Sequence, residues 1–290
     1  MILFALLAAL ACVAGADAKD EPLPALAYAS DKGGSLDLYV LPAGAASARR
    51  LVASALDELS PSWAPDGRHI AYRVNPRRSD LGDIWVVRAD GRGRRNLTRT
   101  PRVAEWSPAW SPDGRLIAYF SAIGEDVWIM RPDGRRRRNV TQSAGLDEYP
   151  SWSPDGRRIV FGSHRDGQFE IYATRLDGSR QMNLTRNQAS DQWPAWSPDG
   201  RRVAFMSDRE GSPDVFVMRA DGSSPTNLTR TPDLEESHPA WLPDGRISFT
   251  RHGETGPIEM WAVDPDGRNG SRLSISAEPV FVYAWKAMRR

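Results

Sequence analysis

One pattern recurs along the chain at nearly constant spacing, and that period restricts the fold more than any other feature. Its fullest copy is Pro194–Phe205 (PAWSPDGRRVAF), with relatives at Pro61–Tyr72, Pro108–Tyr119, Pro150–Phe161 and Pro239–Phe249 and a truncated one at Tyr283–Trp285. The tryptophans of these copies, Trp63, Trp110, Trp152, Trp196, Trp241 and Trp285, are 47, 42, 44, 45 and 44 residues apart. Such periods mark propellers and solenoids, where each unit is a small sheet that buries its faces only against its neighbours.

Each unit reads as four strands. In Ser-Pro-Asp-Gly the proline presets the first turn position, the aspartate suits the second, and glycine takes the left-handed conformation that a short hairpin loop requires. The strand that follows, as in Leu116–Ser121 or Arg202–Ser207, is apolar on both faces, as a sheet stacked between two others would be. A third strand begins at Asp83, Asp126, Glu170, Asp214 or Glu259. A second Asp-Gly turn then leads into a short fourth strand such as Asn96–Thr98. Four strands in about 44 residues make one propeller blade. The fold class expected is therefore all-β, a six-bladed propeller over residues 25–290.

Six blades require a shared one. Ala25–Ser30, Leu36–Leu41 and Arg49–Val52 match a second, third and fourth strand with no innermost strand before them, and Val280–Ala287 resembles an innermost strand with no partner after it. Pairing the two closes the ring and removes the exposed edges of an open array.

Met1–Ala18 is an apolar run ending in Ala16-Asp17-Ala18, the small-x-small pattern of a secretory signal, with Lys19–Pro24 as a short linker. The alternative is a lipoprotein acylated at Cys12, the only cysteine, although Ala9-Leu10-Ala11 sets the leucine one place from a good acylation motif. About 13 apolar residues are too few to span a bilayer. The expected location is periplasmic or secreted, with no transmembrane span after signal removal. Of 37 acidic residues Asp17 leaves with the leader, so 38 basic face 36 acidic side chains, a charge of +2 that points to no class of partner. Arg92, Arg94, Arg95 and Arg135–Arg138, beside second turns, read as solvated edge charges or as a basic patch on one face.

The repeated P-[SA]-W-S-P-D-G-R core, the following acidic-aliphatic-aromatic strand and the Asn-Leu-Thr close resemble the WD-like propeller repeat of the TolB family, from about residue 25 onward. TolB proteins carry an α/β domain ahead of the propeller, for which Lys19–Pro24 leave no room. The resemblance implies a periplasmic propeller whose mouth holds another protein, as TolB holds peptidoglycan-associated lipoprotein.

No nucleophile elbow, phosphate loop or paired-cysteine metal site occurs, and neither catalytic residues, a metal nor another cofactor is expected. His238 and His252 bracket one hairpin near Glu235 and Glu236, a weak hint of metal-ligand character beside the plainer reading of polar surface. The Asn-x-Thr sequences at Asn96, Asn139, Asn183 and Asn227 share one repeat position, which favours a structural role over glycosylation.

The informative departures from periodicity precede the tryptophans. Five residues upstream stand Glu58, Glu105, Asp147, Asp191 and Glu236, with Val280 breaking the series; three or four upstream come Trp106, Tyr149, Trp193, His238 and Phe281. This segment enters each innermost strand and should rim the channel on the face that also carries Lys32, Arg73, Arg77, Arg78, Arg165, Arg209 and Arg251. The carboxylates either pair with those arginines and tie blade to blade, or they bind ligand together with the aromatic residues. The partner-binding set is then Glu58, Glu105, Trp106, Asp147, Tyr149, Asp191, Trp193, Glu236 and His238. The expected partner is a protein or peptide, such as a component resembling peptidoglycan-associated lipoprotein, with no nucleic acid and a monomeric propeller. The competing reading is a carbohydrate- or small-anion-binding sensor, or a metal-dependent enzyme, using the same mouth.

Overall fold

A computed structural model of the protein describes residues 24–32, 34–76, 79–253, 258–273 and 283–285, and among these every regular element is a strand. The expected leader with Cys12, most of the linker, Arg77, Arg78, Val280 and Phe281 lie outside the described residues. Six four-stranded sheets form six blades. The innermost strands of the second to sixth blades are Asp57–Trp63, Glu105–Trp110, Asp147–Trp152, Asp191–Trp196 and Glu235–Trp241. In the first blade Tyr283–Trp285 pairs antiparallel with Leu26–Ser30, which continues to Asp37–Leu41 and Arg49–Val52. Each innermost strand touches its counterparts in both neighbouring blades, so the six surround a central channel and the ring is closed.

The doubly apolar second strands account for the packing. Alternate residues of a strand point to opposite faces, and here each face belongs to a different core. Leu26 and Tyr28 pack with Leu242, Met260 and Ala262 of the sixth blade, while Ala27 packs with Ile70 and Tyr72 of the second. Ala204 and Phe205 divide in the same way between the sixth-blade and fourth-blade sides. The described residues thus form six inter-blade cores rather than one central core.

Polar side chains fix the connections. Asn139 donates to Asp126 at 2.6 Å, and the Thr141 hydroxyl donates to the same carboxylate at 2.8 Å while accepting from the Val127 N–H. Asn96 and Thr98 on Asp83, and Asn227 and Thr229 on Asp214, repeat the arrangement. The Asn-x-Thr position therefore pins the outermost strand to the start of the third in these three blades, and in the fourth Thr185 alone does so, on Glu170, while Asn183 donates to Asp166. Arg95 and Arg138 are exposed charges on edge strands, as expected, but several arginines beside the second turns also have definite partners. Arg94 reaches inward to Tyr72 and Glu58, whereas Arg95, Arg137 and Arg138 donate to the carbonyls of Pro132, Leu97 and Leu176 on adjacent blades.

Candidate binding site at the channel mouth

In every fully described innermost strand the ladder slips by one residue: between Leu59 and Ser62, Trp106 and Ala109, Glu148 and Ser151, Gln192 and Ala195, and Ser237 and Ala240. At each slip one residue with positive φ precedes a proline: Ser60 (49°), Ser107 (51°), Tyr149 (54°), Trp193 (50°) and His238 (53°). Bulky side chains rarely take this conformation, which costs about 1–3 kcal/mol where it is held. A bulge of this kind re-aims the side chain it carries. Here it turns Tyr149, Trp193 and His238 into a cavity of about 590 Å³ at one end of the channel, with the five prolines from Pro61 to Pro239 in its wall.

The aromatic side chains are in mutual contact. Trp193 stacks on His238 with centroids 4.2 Å apart and meets Tyr149 edge-on at 5.7 Å. Trp106 belongs to a different position, one residue before the bulge, and lies flat on Phe120 at 4.0 Å beneath the Arg73 guanidinium. Sequence spacing groups these four residues, and the structure brings all four to the same cavity. Burial holds the His238 imidazole down to about 4, so it is neutral at physiological pH, and pushes the Tyr149 phenol up to about 12.

Sequence reasoning passed over Glu148, whose side chain is 6% exposed. Burial pushes its carboxyl up to about 7, while hydrogen bonding to Trp106 and Tyr149 favours the ionised form. The available signal was its place beside Tyr149 in a variable position, which the stronger series at Asp147 concealed. Two buried donors on the cavity wall meet no acceptor among the described residues: the Arg73 Nε–H and the Trp193 indole N–H. The indole lies beside the Tyr149 hydroxyl without good hydrogen-bond geometry.

The acidic series lies behind this wall. Glu58, Glu105, Asp147, Asp191 and Glu236 are at most 1% exposed, and none lines the cavity. Arg165 grips both oxygens of Asp147 (3.1 and 2.9 Å), Arg209 does the same for Asp191 (2.9 and 3.1 Å), Arg251 holds Glu236 at 2.7 Å and Arg94 holds Glu58 at 2.9 Å. Each pair lies within one blade. The tie between blades is made by the backbone: the N–H groups of Glu58, Asp147 and Asp191 donate to the carbonyls of Leu36, Glu125 and Phe169 in the preceding blade. Glu105 has no arginine. Burial pushes its carboxyl up to about 7, outweighing the opposing effect of hydrogen bonding to Thr98 and Thr100, whose hydroxyls also donate to Asp83.

The histidines do not converge. His252 lies 3.3 Å from Glu235, His238 stacks in the mouth, and Glu236 is held by Arg251. No cluster of three or more metal-ligating side chains occurs among the described residues.

Residues 73–279 match the family model described as the TolB beta propeller domain. No curated protein matches the chain by sequence. Among solved structures it is similar to TolB from Acinetobacter baumannii, with a TM-score of 0.78 and 22% identity over 91% of this chain and 67% of that one. It is also similar to TolB from Agrobacterium tumefaciens, with a TM-score of 0.69 and 20% identity over 87% and 88% of the two chains. Oligogalacturonate lyase from Vibrio parahaemolyticus has a TM-score of 0.59 and 11% identity over 87% and 72%. At these identities the structural likeness shows the fold alone, and one fold supports several chemistries.

Proposed function

This chain belongs to the TolB β-propeller domain family, and we propose on that footing that it is a non-enzymatic binding protein of the cell envelope. Its channel mouth takes an extended peptide segment of a partner protein. The observation that carries this reading is the set of large aromatic side chains, Tyr149, Trp193 and His238 turned inward by the bulges with Trp106 beside them, that line one cavity at the mouth. The aromatic anchors would supply most of the affinity, as at protein interfaces generally, with Glu148 behind them holding Trp106 and Tyr149.

The leader read from the sequence, cleaved after Ala18, would place this mouth in the periplasm, where a component resembling peptidoglycan-associated lipoprotein is the expected partner. The five buried carboxylates serve the wall and are not contact residues in this reading. Replacing Trp106 and Trp193 together by alanine should weaken partner binding by about 2 kcal/mol or more, roughly 30-fold in Kd. Proteins captured from envelope extract by wild type and by the double variant, followed by titration calorimetry with the purified partner, measure this. Equal affinity of the two forms for the same partner would place the site elsewhere.

A further inference from the structure

The face opposite the mouth carries both Asp-Gly turns of the second to sixth blades, because antiparallel strands return each hairpin to the same end. Between the fourth and fifth blades these turns enclose a groove of about 940 Å³ lined by Arg158, Arg175, Arg180, Arg201, Arg202 and Arg219. The ladders hold these arginines against electrostatics. Arg158 stands directly opposite Arg175, and Arg202 directly opposite Arg219, and like charges so placed destabilise a sheet. In the second blade the corresponding partner of Arg88 is His69, itself bound by the Asp66 carboxylate.

Among the described residues none of the six guanidiniums forms an ion pair, whereas Arg165, Arg209 and Arg251 on the mouth side each hold a buried carboxylate. The two acidic residues of the groove are engaged by their own turns. Asp199 accepts from the Ser197 hydroxyl and the Arg201 N–H, and Asp221 accepts from the N–H and hydroxyl of Ser223. Six positive charges thus line the groove with two negative ones, and Asp155 and Asp177 of the fourth-blade turns, which act on Arg158 and Arg175, still leave the positive charges in excess. Two of the guanidiniums are held in place by stacking, Arg158 over Trp196 at 4.6 Å and Arg202 over Trp241 at 5.5 Å. Below them Ala173, Leu184 and Ala220 form an apolar floor, with Met182 beside it 49% exposed.

We propose that this groove is a second binding site, for an extended acidic peptide segment of a partner protein in which carboxylates alternate with apolar side chains. Side chains of an extended strand point alternately to its two sides, so one set reaches the arginines while the other rests on the floor. The planar guanidinium fork matches a carboxylate through two parallel hydrogen bonds. The floor favours a peptide over a purely ionic polymer. The stacked arginines cover the ring faces that the bases of a single-stranded nucleic acid would need.

The test uses the full-length protein and a fluorescein-labelled octapeptide alternating glutamate with leucine or alanine. Saturable binding is expected, weaker at higher salt, absent for the lysine-for-glutamate peptide, and unchanged in Trp106→Ala/Trp193→Ala. The Arg175→Glu/Arg219→Glu variant should bind about tenfold more weakly or worse, since charge-assisted hydrogen bonds of this kind contribute at least that much. If that variant melts well below wild type, Arg175→Gln/Arg219→Gln must still show the loss. No saturable binding to wild type, or undiminished affinity in both arginine variants, overturns the proposal. So does displacement of the peptide by lower concentrations of inorganic polyphosphate or an oligonucleotide, which would give the groove to a polyanion instead.

Discussion

Glu105 is the one described carboxylate of its series without an arginine, and the ladder shows the reason. It faces Ser121 as Asp147 faces Ser163 and Asp191 faces Ser207, so Ile123, two residues further on, stands where Arg165 and Arg209 stand. Ile123 is 50% exposed, and Glu105 keeps one oxygen without a partner. A carboxyl raised from 4.5 to about 7 in the fold binds its proton more tightly there than in the unfolded chain. Its stabilising contribution is complete below pH 4.5 and is lost as pH rises to 7, to the extent of about 3 kcal/mol. The Ile123→Arg variant should supply the missing partner and recover about 1–3 kcal/mol at pH 8, with little change at pH 4.5. Urea denaturation at the two pH values measures the difference, and an equal effect at both would show that the arginine does not reach Glu105.

The hairpins and the bulges make opposite demands on what a sequence can reveal. Gly222 and Gly245 both have positive φ, 88° and 89°, and both sit in Asp-Gly turns legible from the chain. Only Gly222 abuts its neighbour: a Cβ there would lie 2.4 Å from the Leu184 carbonyl oxygen of the preceding blade, whereas one on Gly245 meets nothing within 4 Å. Both alanine variants pay the left-handed penalty of about 1 kcal/mol, and Gly222→Ala should cost about 2 kcal/mol more through backbone displacement. Equal losses in denaturation midpoint would mean that the blades separate freely at this contact. The bulges carry no such signature. A residue before proline is expected to be extended, so Ser60, Ser107, Tyr149, Trp193 and His238 read as ordinary strand. That is why Trp106, from the neighbouring position, fell into one group with Tyr149. It is also why the acidic series, which the spacing puts near the rim, turned out to lie behind the wall: one added residue re-aims everything before it.

At the level of the ring, the period of the tryptophans and the complementary ends made the architecture legible, because a repeated unit states its fold several times over. The site was legible only in part, since binding residues are the positions where repeats differ and five copies of a difference form no pattern. Closure gives the ring its most exposed dependence on a short segment. Tyr283–Trp285 pairs with Leu26–Tyr28, and its strand touches the innermost strand of the second blade. Deleting residues 280–290 should therefore leave Leu26–Ser30 with an open edge and uncover the apolar surface shared by Leu26, Tyr28 and Leu242 on one side and by Ala27 and Ile70 on the other. At about 25 cal/mol per Å² of apolar area this amounts to several kcal/mol, and for a chain of this size it lowers the melting temperature by on the order of 10 °C. The loss should also be local, because blades couple only through shared interfaces. Hydrogen exchange should quicken first in Leu26–Ser30, Ile70–Tyr72 and Met260–Ala262, while Ile159–Phe161 in the fourth blade keeps its protection. A truncated protein that melts with the wild type, or one whose fourth blade loosens as early as its first, would show that the ring does not depend on this strand for its closure.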